Sequence, residues 1–114
     1  MPVYADLELH QGDDILFRLE LLDSDRSLWN VSSGYTGRAT FKKTYATRDS
    51  DAYNFTVTFP GDPVNAVDLV LDGTVSDDIK SGRYVYDVFL LKDNSSVKVL
   101  EGKLEIYPSA TSIV

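Results

Sequence analysis

The stretch SGRYVYDVFLLKDNSSVKVLEGKLEIYP, residues 81–108, decides the fold. Apolar and polar residues alternate along it on both sides of a polar break, the pattern of two half-buried strands joined by a turn. Tyr84, Tyr86, Val88 and Leu90 share one phase, and Leu100, Gly102, Leu104 and Ile106 repeat it in the second half. Turning both sets inward gives an antiparallel hairpin with Asn94-Ser95-Ser96 as its loop. In that register Leu90 faces Leu100, Tyr86 faces Leu104 and Asp87 faces Lys103. A one-residue slip would turn the apolar set outward, so burial of one face fixes the register. Opposite charges across the pair add about 0.2–1 kcal/mol. Gly102, set against Val88, marks a bulge or the close approach of another segment. Tyr84 and Tyr86 then read as core residues whose hydroxyls reach the rim or a backbone group.

The other side of this hairpin is the candidate protein–protein surface. Val85, Phe89, Leu91 and Val99 share it with Asp87, Glu101, Lys103 and Glu105, and the residues singled out are Val85, Asp87, Phe89, Leu91, Val99 and Lys103. An apolar patch with a charged surround marks a docking face. The competing reading is that the 108–114 tail or the 44–53 loop of the same chain covers it.

The period of two extends over the rest of the chain. Ile15, Phe17, Leu19 and Leu21 alternate with Arg18 and Glu20; Ala39 and Phe41 alternate with Arg38, Thr40 and Lys42. Phe55, Val57 and Phe59 alternate with Asn54, Thr56 and Thr58, and Val67, Leu69 and Leu71 with Asp68, Val70 and Asp72. The gaps carry turn residues, such as Gln-Gly-Asp-Asp at 11–14 and Pro-Gly-Asp-Pro at 60–63. One helical turn is expected at 76–80, capped by Ser76 and stopped by Gly82. The expected fold is all-β: an antiparallel two-sheet sandwich, immunoglobulin-like, of about seven strands. A closed barrel is the alternative. The chain of 114 residues reads as a single domain, 1–114, ending in a short tail at 108–114.

Composition excludes several functions. The net charge is −7, which opposes nucleic acid and anionic membrane surfaces, both of which are met with Lys and Arg. No apolar run approaches the roughly 20 residues of a membrane helix, and the first residues have neither the basic nor the apolar part of a signal peptide. Absence of cysteine rules out disulfides and thiolate zinc sites and fits a reducing compartment. The acid pairs Asp13/Asp14, Asp23/Asp25, Asp49/Asp51 and Asp77/Asp78 lack the further ligands and glycine of a calcium loop and read as turn aspartates. His10 is the one histidine, and no serine has a nucleophile setting. No cofactor, metal or enzymatic activity is expected. Trp29 is read as a hydrophobic lid on one end of the sandwich, with sugar stacking as the alternative. Arg48 lies in the longest polar connection, a contact element without specific chemistry.

Two stretches resemble a known family. Residues 11–43 carry Gln11, Gly12 and Asp14 at a strand start, then Val31 and Gly34-Tyr35-Thr36 leading into a strand with Arg38. Residues 81–90 and 101–108, SGRYVYDVFL and EGKLEIYP, look like a closing hairpin of the same kind. Together they resemble the small β-sandwich domains of tailed-bacteriophage structural proteins, similar to the N-terminal domain of upper baseplate proteins. Residues 44–75 have no counterpart in that pattern. Tyr84, early in a strand after a crossover, also resembles the tyrosine corner of Greek-key sandwiches. The resemblance implies a non-enzymatic virion component, an adaptor of the tail or baseplate. It would be made in the host bacterial cytoplasm and contact other virion proteins and copies of itself. A capsid decoration protein of the same fold and a carbohydrate-binding module are the alternatives.

Overall fold

The structure is a computed structural model and describes residues 3–23 and 25–111. Its strands are β1 (Val3–Tyr4), β2 (Leu7–His10), β3 (Ile15–Glu20), β4 (Thr36–Lys42), β5 (Tyr53–Thr58), β6 (Ala66–Leu71), β7 (Gly82–Lys92) and β8 (Ser95–Tyr107). A short helix, α1 (Gly73–Asp77), and a single 3-10 turn, Asp49–Asp51, interrupt them. The protein is therefore all-β apart from these turns, with eight strands among the described residues where about seven are expected. Residues 112–114 of the expected tail lie outside the described residues.

Hydrogen bonding follows the path β1-β8-β7-β4-β5-β6-β3, with β2 also on β8, and the sheet curls into a half-barrel. β5 makes the bend. Its first half pairs with β4, setting Phe55 beside Ala39, and its second half pairs with β6, setting Val57 beside Leu69. The expected all-antiparallel pairing needs correction at one end, because β1 and β2 run parallel to β8. They meet it from the far end of the chain, so no hairpin forces them antiparallel.

The alternating residues face the concave side as the pattern requires. Phe41, Val67, Leu69, Tyr86, Val88, Leu90, Leu104 and Ile106 are fully buried, and Phe17, Leu19 and Val57 pack against them. The Phe41 ring sits 5.0 Å from Phe55 and 5.7 Å from Tyr84. Both tyrosines are core residues with satisfied hydroxyls: Tyr84 donates to the Lys80 carbonyl at 2.7 Å, and Tyr86 donates to the Ala5 carbonyl. Burial, then the charges of Asp6 and Tyr4, push the Tyr86 phenol up to about 12. Gly102 lies directly beneath Ala5, where any side chain would strike the Ala5 carbonyl. The close approach expected at this glycine is thus a crossing of the β1–β2 joint over β8. Asp6 completes the joint by accepting from the Lys103 backbone N–H at 3.1 Å.

The expected hairpin register is two residues off. Tyr84 faces Leu104, Tyr86 faces Gly102, Asp87 faces Glu101 and Val88 faces Leu100. A bulge between Val88 and Phe89 then shifts the pairing, so that Phe89 faces Lys98 and Leu90 faces Val97. The loop is tighter than expected: Lys92 pairs with Ser95, and Asp93 takes a positive φ of 54°. Tight hairpin turns favour such a residue.

The helical turn lies nearer the N-terminus than expected. Asp72, not Ser76, is the N-cap and accepts from the Thr74 backbone N–H. Ser76 is fully buried inside the helix. There its hydroxyl accepts from the Gly12 N–H at 3.0 Å and lies 2.9 Å from the Asp13 carbonyl.

Candidate functional site

The outer face of β7 carries Val85, Asp87, Phe89 and Leu91, all half-buried. Its neighbours follow from the two registers. Phe89 lies between Arg38 and Lys98, and Val85 between Lys42 and Lys103. Asp87 lies between Thr40 and Glu101, and Leu91 between Thr36 and Ser96. The strip is an apolar row flanked by cations, on a chain whose net charge is −7.

Lys98 is the hub of this face. Its ammonium is 3.8 Å from an Asp87 oxygen, 3.7 Å from a Glu101 oxygen and 5.6 Å from the Phe89 ring centre. It keeps two neighbouring carboxylates together and covers part of the phenyl ring. The Asp87–Lys103 pair expected from the sequence does not form, because the register places Lys103 against Val85. Val99 also leaves the list of surface residues. It is the extra residue at the bulge, is 7% exposed and belongs to the core cluster.

Part of this face is covered by the chain itself. Lys42 donates to the Thr47 carbonyl at 3.1 Å, tying the 43–52 connection beside the Val85 end, where Tyr45 stands next to Val85 and Asp87. The Phe89–Leu91 end opens instead into a depression of about 350 Å³, lined by Arg38, Thr40, Phe89, Leu91 and Ser96 among others. The described part of the C-terminal segment, residues 108–111, runs elsewhere. Ser109 donates its N–H to the Gln11 side chain at 3.1 Å, at the opposite end of β8.

The remaining candidates have structural posts. Gln11 donates to the Ile79 carbonyl at 2.7 Å, and Asp14 accepts from the Gly73 N–H at 2.7 Å. With Gly12 on Ser76, the Gln-Gly-Asp-Asp turn is a clamp that holds α1. A Cβ on Gly73 would come within 2.6 Å of the Gly12 carbonyl, so the clamp closes only over glycine. Asp23 accepts from the N–H groups of Asp25 and Ser27, and Arg48 lies 3.6 Å from Asp51 at the surface. His10 packs 5.3 Å from the Tyr107 ring. Trp29 is half-buried with its indole N–H on the Tyr35 hydroxyl at 3.2 Å, its ring edge-on to that tyrosine.

Two features were missed in the sequence. The first is a bidentate ion pair between Arg18 and Asp68, at 2.7 and 2.9 Å on the outer face of β3 and β6. The alternation puts both residues on outer faces, but nothing in it pairs those two strands. The second is a groove of about 530 Å³ at the open seam of the half-barrel, between residues 20–23 of the chain and Val3, Val97 and Val99. Leu22, Leu28, Val3 and Val97 are exposed around it.

No family model matches the chain, and no curated protein matches it. Among solved structures, it is similar to the crystal structure of InlP from Listeria monocytogenes, at 15% identity and a TM-score of 0.47. The match covers 90% of this chain and 26% of that one, so the chain spans about a quarter of that protein's length.

Proposed function

We propose that the protein is a non-enzymatic interaction module that docks a protein partner on the outer β4–β7–β8 face. The observation that carries this reading is the Phe89–Leu91 depression, an apolar floor set between Arg38 and Lys98. Arg38 is exposed there, so the fitting partner brings an apolar group for the floor and a carboxylate for the guanidinium. The setting proposed is a tailed-phage virion, as a tail or baseplate adaptor. It rests on the resemblance of residues 11–43 and 81–108. The motif residues of those stretches hold the frame rather than a reaction centre: Gln11, Gly12 and Asp14 clamp α1, and Tyr84 and Tyr86 anchor the core. The finer fold assigned here is an immunoglobulin-like sandwich whose two sheets share β5. The hand-over within β5 and the Tyr84 hydroxyl on the carbonyl four residues upstream support it.

A photo-crosslinking residue at Phe89 or Leu91, in the assembly isolated from its source, tests the docking face. Crosslinks to a second protein support it. Crosslinks confined to the chain's own 43–52 connection would overturn it. For the setting, tail genes beside the coding sequence support an adaptor and capsid genes a decoration protein; neighbours of neither kind remove the virion reading.

A further inference from the structure

The free edge of the sheet carries a second surface, independent of the docking face above. β3 ends the hydrogen-bonded path, and its pairing with β6 shows which of its groups are spent. Leu21 donates to the Asn65 carbonyl at 3.0 Å, in register with Leu19 beside Val67 and Phe17 beside Leu69. Odd-numbered residues therefore point their N–H and C=O groups at β6, and those of Leu16, Arg18 and Glu20 point away from it. The edge continues past the strand. Leu22 bridges Leu28, but the bonds of that bridge run through the Leu21 carbonyl and the Asp23 N–H, again on the β6 side. From Leu16 to Leu22 the chain thus presents an extended row of backbone donors and acceptors with no strand of the described residues beside it.

We propose that this edge pairs with the same edge of a second copy, antiparallel, about a two-fold axis at Leu19. The side chains select that partner and that register. On the outer face, Arg18 meets Glu20 of the second copy, and by symmetry the same ion pair forms again. Leu16 meets Leu22 of the second copy, also twice, and these are 59% and 54% exposed in the single chain. A register centred on Arg18 would set two arginines face to face. A register with the opposite parity would put inward residues on the outer face. On the concave side, Leu19 meets its own copy and Phe17 meets the copy's Leu21. Ile15, Phe17, Leu19 and Leu21 are only half-buried in the single chain, so pairing finishes their burial. The same step brings Phe17 of the second copy to the mouth of the seam groove beside Leu21 and Trp29. The interface is isologous and closes at two copies, which also removes an open edge that would recruit other strands.

The test uses the absence of cysteine in the native chain. Single variants Leu16→Cys and Leu22→Cys change exposed side chains that lie directly opposite across the proposed axis, within disulfide reach for a hydrogen-bonded pair. Under mild oxidation the two variants mixed should give a disulfide dimer, and either alone should not. Sedimentation equilibrium should find a dimer for the native chain, with Glu20→Lys weakening it by about tenfold or more. A native chain that stays monomeric at every concentration overturns the proposal. So does a dimer that fails to crosslink in the mixture, or that crosslinks equally in each variant alone. None of these results bears on the docking face, which lies on other strands.

Discussion

Arg18 and Asp68 show how one pair sets a pH limit. The Asp68 side chain is 8% exposed and the Arg18 side chain 44%, so the carboxylate is covered mainly by its partner. The Arg18 hydrogen bonds hold its pKa below the ordinary 3.8, against the opposing effect of burial. A carboxylate depressed on folding stabilises the native state above its unfolded pKa, and that contribution is lost as pH falls through the folded value. Native stability should therefore drop on acidification below about pH 4, measured by urea melts across pH. Asp68→Asn should remove this part of the slope. Arg18→Met should cost about 1–3 kcal/mol at neutral pH by stranding the carboxylate. The pair was legible only in halves. Arg18 and Asp68 each follow the alternation of their own strand, and only a register from beyond both strands makes them neighbours. Tyr84 and Tyr86 were legible because an inward position with a polar tip has few outlets besides a nearby carbonyl.

At the scale of elements, alternation defined the faces and missed the offsets. The inward sets of β7 and β8 are as expected, yet their register differs: the tight turn starts the ladder at Lys92 on Ser95, three residues from the expected pairing, and a bulge that alternation within each strand does not reveal brings it back by one. Its trace is the adjacent apolar pair Val99-Leu100, where the inward phase of β8 changes from odd to even. The bulge removes Val99 from the outer surface and the tight turn separates Asp87 from Lys103, while Val85, Phe89 and Leu91 keep their face. The helix was displaced for a local reason: Asp72 is followed by glycine and looks like a turn, although it caps a helix whose Ser76 is needed inside. Ser76→Ala should leave the Gly12 N–H and the Asp13 carbonyl without their partner and cost about 1–3 kcal/mol. A thermal melt should show it. A loss within error would mean that α1 is held by Gln11 and Asp14 alone.

For the molecule as a whole, the period of two and the turn residues establish an all-β chain but not its closure. The end pairings were not legible because parallel strands contributed by distant parts of a sequence leave no turn signal between them. β1 and β2 cover one edge of β8, and Leu9 is 2% exposed in the core. Removing residues 1–10 should therefore do more than shorten an end. It strips Tyr86 of its acceptor and uncovers Leu104 and Ile106. Far-ultraviolet circular dichroism should show a broad, low-temperature transition in place of a sharp one. A truncated chain that melts cooperatively at the native temperature would mean that β3–β8 is the folding unit.

The neighbours Val3 and Leu100 also order events in time. During synthesis β1 and β2 emerge before the strand they pair with and wait until β8, far along the chain, has followed them. Contacts across such a span are slow to form. Until β8 emerges, the Gly102 crossing does not exist and Tyr86 has no fixed carbonyl to find. The finished fold thus waits on β8, and a nascent chain stalled before residue 100 should remain open to protease along residues 3–10.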